Sequence, residues 1–108
     1  MREICIHVTD QQGETTILMG IEGWRVMEVI RDMGLPIKAE CGGSAACATC
    51  HVHVAPEWFG KLPSMQAEEL HCLDDAFDVR DTSRLSCQII LTPQMDGLAV
   101  TLAPGTEP

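Results

Sequence analysis

Positive charge is scarce in this chain. Lys and Arg number 7 against 16 Asp and Glu, for a formal net charge of −9. That argues against a nucleic-acid ligand, because phosphate contacts are made by Lys and Arg. An anionic membrane surface would repel the chain for the same reason. Long apolar runs are missing as well; none approaches the roughly 18 residues that mark a bilayer-crossing helix. From Met1 to Val8 there is no basic region, no extended apolar core and no Arg/Ser-rich amphipathic stretch. A targeting peptide is expected to be absent or already removed, and the expected location is a bacterial cytoplasm. The sequence has no internal repeat, no low-complexity tract, no flavin or nucleotide motif and no nucleophile–base pair. A stand-alone enzyme is therefore not expected.

What is present is an ordinary globular composition, 45% apolar and 21% charged over 108 residues. That suits one domain, 1–108, with one core. Ile4, Ile6 and Val8 alternate with Cys5 and His7, which predicts a strand. Gln11 to Glu14 reads as a turn, and Thr15 to Met19 as the returning strand of a hairpin. Val26, Met27, Val29, Ile30 and Met33 recur at helical spacing, and Gly34 and Pro36 end that helix. Lys38 to Ala48 lacks periodicity and reads as a loop. His51 to Val54 is a short β-prone segment, followed by Trp58 and Phe59, which are expected to be partly buried. Ser64 is placed to cap a helix from Met65 to Phe77. Leu85 to Leu91 reads as an apolar strand, and Leu98 to Leu102 as the last one. Ala103 to Pro108 is expected to be a flexible tail. The class is α+β: a mixed sheet, a main helix packed on it and a long loop.

Six cysteines are many for this length. A disulfide framework would allow 15 pairings. It is disfavoured, because no secretion signal is present and reducing compartments keep thiols free. Cys41, Cys47, Cys50 and Cys87 are separated by 5, 2 and 36 residues. Four thiolates suit zinc or an iron–sulfur cluster. Structural zinc sites usually draw ligands as two short pairs, whereas here three come from one loop and one from far downstream. That layout favours a two-iron cluster, with the last ligand on a remote strand. Every residue between the first three cysteines is Gly, Ala, Ser or Thr. Small side chains let backbone N–H groups approach the sulfurs, and glycine permits the wrapping dihedrals. Four thiolates, two sulfides and two ferric ions sum to about −2, a charge that hydrogen bonds to sulfur stabilise.

The run Cys41-Gly-Gly-Ser-Ala-Ala-Cys47-Ala-Thr-Cys50-His51-Val52, together with Arg84-Leu85-Ser86-Cys87-Gln88-Ile89-Ile90, resembles the adrenodoxin/putidaredoxin type of [2Fe-2S] ferredoxin. Plant-type ferredoxins have four residues between the first two ligands rather than five. The resemblance implies a β-grasp fold, one [2Fe-2S] cluster on Cys41, Cys47, Cys50 and Cys87, and one-electron transfer. It implies electron supply from an FAD-containing, NAD(P)H-dependent ferredoxin reductase. The acceptor it implies is a cytochrome P-450 monooxygenase or, alternatively, the iron–sulfur assembly machinery. A monomer is expected. The alternative from another class is a structural four-cysteine zinc domain. His51 is expected to bond to backbone and tie the cluster loop to the fold. Arg84 and Pro104 stand at structural positions of the family. Cys5 and Cys72 match no ligand and read as small buried hydrophobes. The chain lacks the C-terminal aromatic of putidaredoxin-like proteins, so no effector role is carried over.

From Glu68 to Asp81, six carboxylates face one cation, Arg80. On a helix, Glu68, His71, Asp74, Asp75 and Asp78 share one face. Met65, Leu70, Cys72, Leu73, Ala76 and Phe77 share the other, and Glu69 falls among the apolar positions. A solvated face is the plain reading. The one-signed charge and the resemblance together favour docking of a basic partner surface. The docking residues expected are Glu40, Glu68, Glu69, His71, Asp74 and Asp75. Glu40 resembles an acidic oxygenase-interface position, and His71 departs from the family's carboxylate.

Overall fold

The computed structural model describes residues 2–35, 37, 50–74, 76, 78–104 and 106. The expected ligands Cys41 and Cys47 and the expected docking residues Glu40 and Asp75 lie outside them, as does the expected loop over 38–48.

The chain begins as strand β1, Glu3–Thr9, whose alternation buries Ile4, Ile6 and Val8. Asp10 turns the chain by accepting hydrogen bonds at its Oδ1 from the N–H groups of Gln12 and Glu14, at 2.9 and 3.0 Å. Gly13 supplies the positive φ of 89° that this turn needs. Strand β2, Thr15–Ile21, returns antiparallel with Ile6 opposite Leu18. Helix α1, Val26–Asp32, follows, and Glu28 reaches back to accept from the Arg25 N–H at 2.8 Å. Gly34, at φ 77°, ends it as expected.

Strand β3, His51–Val54, leads into a one-turn helix α2, Pro56–Phe59, with proline at its first position. Trp58 and Phe59 pack partly buried against the core, as expected. Then come helix α3, Ala67–Leu73, strand β4, Ser83–Leu85, and strand β5, Leu98–Leu102. The sheet order is β2-β1-β5-β3-β4. β5 runs parallel to β1 with Ile6 opposite Leu98 and antiparallel to β3 with Val52 opposite Leu102. This is the mixed α+β sheet expected, with α1 and α3 packing their apolar sides against the core.

The core leaves no room behind β2. A Cβ built on Gly20 would lie 2.5 Å from Leu91 Cδ1 and 2.9 Å from Val29 Cγ2. Gly20→Val is therefore expected to cost about 1–3 kcal/mol through overpacking. A fall in the urea midpoint at constant slope would report it, and an unchanged midpoint would contradict it.

Three expectations need correction. Helix α3 covers Ala67–Leu73 rather than 65–77, and its N-cap is Gln66, not Ser64. Past Asp74 the chain must turn toward β4. Asp78 adopts φ 58°, the only positive φ outside glycine among the described residues. Leu85 to Leu91 is not one strand. After β4 the chain enters a 3₁₀ turn at Ser86–Gln88 and then pairs with a new neighbour, Ile90 bridging Arg25. The Ser86 N–H and hydroxyl both donate to the Cys50 carbonyl, at 2.9 and 2.8 Å, and pull the backbone out of strand geometry. Within the expected flexible tail, Ala103 and Thr106 are buried. The Thr106 hydroxyl donates to the Ala103 carbonyl at 2.7 Å and accepts from Gln11 Nε2 at 2.9 Å.

Candidate metal centre

Two of the four expected ligands are described, and the fold brings them together. Cys50 directly precedes β3, and Cys87 sits in the 3₁₀ turn directly after β4. These strands are antiparallel neighbours with His51 opposite Leu85. One step beyond that pair, Ser86 grips the Cys50 carbonyl as described, so the two cysteine segments are joined by backbone. Both cysteines are buried, and their Sγ atoms lie 3.1 Å apart. A covalent S–S bond is about 2.05 Å long. A tetrahedral metal with bonds of about 2.3 Å holds its thiolates about 3.8 Å apart, so a small outward movement admits one. Gln88 Nε2 lies 3.5 Å from Cys87 Sγ and donates to it. The expectation of a ligand on a strand is corrected: Cys87 rides on the turn that breaks the strand.

Behind these cysteines lies a clamp made by Glu69, expected at the docking surface, and Arg84, expected at a structural position. Glu69 is not a surface residue; its side chain is 1% exposed. Its Oε2 accepts from Arg84 Nε at 2.6 Å and from the Leu85 N–H at 2.8 Å, and its Oε1 accepts from Arg84 Nη2 at 3.1 Å. Arg84 Nη1 donates in turn to the Pro63 carbonyl at 2.9 Å. This planar fork-to-carboxylate pair, dry on both sides, fastens α3 to the strand that delivers Cys87. The helical position of Glu69 among apolar residues was the available signal. A carboxylate on the apolar side of a helix needs a buried cation, and Arg84, in the wholly buried strand β4, is that cation.

His51 is 1% exposed and its Nε2 lies 2.7 Å from Ser83 Oγ. Its ring therefore holds a side chain of β4, where a backbone partner was expected. Ser83 Oγ also accepts from the Arg80 N–H at 2.8 Å. Burial above all, and the neighbouring His53 second, push the His51 pKa down to about 4, so the ring is neutral. His53 stacks edge-on to it at 5.0 Å and bonds through Nε2 to the Asp78 carbonyl at 2.9 Å. Together they anchor the 78–83 segment to the sheet.

Of the remaining docking candidates, Glu68, His71 and Asp74 are exposed on or just past α3. Leu70, expected on the buried side, is 53% exposed. It and Glu69 have exchanged the roles that hydropathy alone would give them, because Arg84 draws the carboxylate inward. Pro104 is exposed, and Cys5 and Cys72 are partly buried. Among the described residues no helix is long and apolar enough to cross a membrane.

Comparison with known proteins agrees with this geometry. The family described as 2Fe-2S iron-sulfur cluster binding domain matches residues 8–92. A 2Fe-2S ferredoxin of Rickettsia bellii is 44% identical over 95 residues, covering 88% of this chain and 86% of that one. The crystal structure of a ferredoxin from Rhodopseudomonas palustris HaA2 is 40% identical and superposes with a TM-score of 0.89, covering 96% of this chain and 99% of that one. A reduced putidaredoxin variant from Pseudomonas putida is 33% identical with a TM-score of 0.91, covering 94% and 98%. Putidaredoxin has also been solved in a covalent complex with putidaredoxin reductase. Buried paired thiols, a donor on sulfur and this likeness across nearly the whole length lead to one assignment: the chain belongs to the [2Fe-2S] ferredoxin family and carries that family's cluster.

Proposed function

We propose that this chain is a one-electron carrier, a single domain over 1–108, whose one [2Fe-2S] cluster is held by Cys41, Cys47, Cys50 and Cys87. It takes electrons from an FAD-containing, NAD(P)H-dependent reductase and hands them to a cytochrome P-450 monooxygenase. The observation that carries this reading is the buried Cys50–Cys87 pair, set at the adjoining ends of neighbouring strands with the Gln88 side chain donating to the Cys87 sulfur. When bound, the cluster accepts and releases one electron. The chain's own part is to bury the thiolates, to place the Gln88 donor on Cys87 and to keep that geometry fixed through the Glu69–Arg84 clamp. A fixed site needs little reorganisation when its charge changes. The reductase complex of putidaredoxin supports the choice of donor.

Docking is assigned to the exposed Glu68, His71 and Asp74, together with Glu40 and Asp75, against a basic partner surface. Glu69 leaves that set because it is buried. The test is reconstitution with such a reductase and a P-450, reading electron flux as NAD(P)H consumption and product. Raising ionic strength from about 0.01 M to about 0.15 M shortens the screening length from about 30 Å to about 8 Å. The encounter rate is expected to fall about tenfold. A Glu68→Gln/Asp74→Asn variant should be slower at low salt and less sensitive to added salt. Rates independent of ionic strength would contradict charge-guided docking. Flux from the reductase that reaches no P-450 would contradict the acceptor.

A further inference from the structure

The sheet face turned away from α1 carries a second set of soft donors. Alternation along β1 sends Ile4, Ile6 and Val8 into the core, which leaves Cys5 and His7 on the outer face. On β2, Leu18 is buried and Met19 is 51% exposed, so Met19 faces outward too. The register sets Met19 directly opposite Cys5. Directly opposed residues on one face have Cβ atoms about 4.5–5.5 Å apart. Cys5 Sγ already lies 3.9 Å from His7 Nε2. Metal bonds of about 2.3 Å to sulfur and about 2.05 Å to nitrogen would span that gap at an angle of roughly 127°. That is close to trigonal coordination. The backbone beneath is fixed: the Cys5 N–H donates to Asp96 Oδ1 at 2.8 Å, and the Gly97 N–H donates to the Cys5 carbonyl at 2.7 Å.

The geometry points to a surface site for a soft monovalent cation, Cu(I), formed by Cys5 Sγ, His7 Nε2 and Met19 Sδ. Thiolate and thioether donors select Cu(I), and imidazole also suits copper. Zinc prefers four ligands, and no third His, Cys, Asp or Glu joins this group among the described residues. Binding forms a Cu–S bond at Cys5 and releases the thiol proton to water; His7 and Met19 each contribute a lone pair, and no electron is transferred. The site is separate from the cluster. Cys5 lies beside Gly97 at the start of β5, whereas Cys50 lies past Leu102 at its end. At about 3.3 Å per residue that is roughly 17 Å along the sheet or more.

The test uses the holoprotein without oxygen, with Cu(I) supplied as its bicinchoninate complex and transfer read by loss of that complex's colour. The wild type is expected to take one Cu(I) with the cluster's visible bands unchanged and with the His7 ring protons shifted by NMR. Cys5→Ser should weaken binding by more than the roughly 10–100-fold that even an outer-shell partner is worth. Met19→Leu should weaken it in the same direction, and Cys72→Ser should leave it unchanged. Retained cluster bands in each variant show an intact fold, since Cys5 and Met19 lie outside the core and Cys72 only packs, partly buried, against it. Equal binding by wild type and Cys5→Ser would overturn the assignment. So would copper uptake only with bleaching of the cluster, an unaltered affinity in Met19→Leu, or Zn(II) competing on equal terms. A bare Cys5–His7 hydrogen bond would give the first of these results.

Discussion

Glu69→Gln is expected to cost about 3–5 kcal/mol, the range for breaking a buried ion pair from one side. The side chains of Arg84 and Glu69 are only 4% and 1% exposed, so water cannot replace the lost charge. Glutamine preserves the shape of the site but removes the carboxylate and turns one acceptor into an N–H donor. In one orientation that donor faces Arg84 Nη2, and in the other it faces Arg84 Nε and the Leu85 N–H, all of them already donors. A domain of this size has about 5–15 kcal/mol of stability in all, so the loss is a large share of it. Holoprotein denatured by urea, with the cluster bands and backbone dichroism followed together, gives the measurement. The bands are expected to fail at clearly lower denaturant, because Leu85 and Ser86 lead directly to Cys87. Glu69→Met/Arg84→Met should recover part of the loss, since removing both charges leaves no buried ion. The unpaired Leu85 N–H would still cost about 1–3 kcal/mol. A Glu69→Gln variant within about 1 kcal/mol of the parent would show that the clamp is less desolvated than its geometry implies.

That clamp also shows how far the sequence could be read. Period-two alternation locates β1, because one of its faces lies on the core and the other does not; β2, β3 and β5 are legible only as short β-prone runs between turns and breaks, and β3 is buried on both faces. Gly34 located the end of α1, because only a residue tolerant of positive φ closes a helix in that way. The stretch Leu85 to Leu91 misled, since its apolarity records burial and not which segment it pairs with. Its first residues pair with β3 and its last with the chain around Arg25, and the change of partner is made by Ser86, a residue with no hydropathic signal. Helix α3 is shorter than its sequence pattern predicts for a related reason. Carboxylates without cations at i+4 look like a solvated helical face whether or not the chain is still helical, and here the helix ends at Leu73.

The site divides in the same manner. Cysteine spacing is a covalent constraint along the chain, so the ligand set could be proposed from sequence. The supports of that site are long-range contacts between side chains. Arg84 and Glu69 are 15 residues apart, and His51 and Ser83 are 32 apart. Nothing local to either partner marks the other. Glu69 carried the most information of any single position: it broke the amphipathic pattern, and its conflict with that pattern is resolved only by the cation across from it.

Cys87→Ala is expected to abolish the visible bands of the cluster, and Cys50→Ala to do the same. Each removes one of two thiols that the fold has brought within 3.1 Å, and among the described residues no other sulfur stands in that position. Cys5 is on the far side of the sheet, near the start of β5. The other cysteine outside the motif, Cys72, belongs to α3, whose neighbouring Glu69 is locked to Arg84 and whose backbone therefore cannot slide toward the turn. Cys5→Ala and Cys72→Ala are expected to retain the bands in full, so the four variants separate ligands from bystanders in one spectroscopic series. Stability should divide along the same line. Free energy of metal binding is free energy of folding when the site forms only in the folded chain. The two ligand variants should therefore unfold at lower denaturant than the two bystander variants, by a margin that iron and sulfide reconstitution does not restore. A Cys87→Ala protein that keeps bands of parental intensity would remove Cys87 from the ligand set, and would mean that the 3₁₀ turn after β4 serves only to redirect the chain.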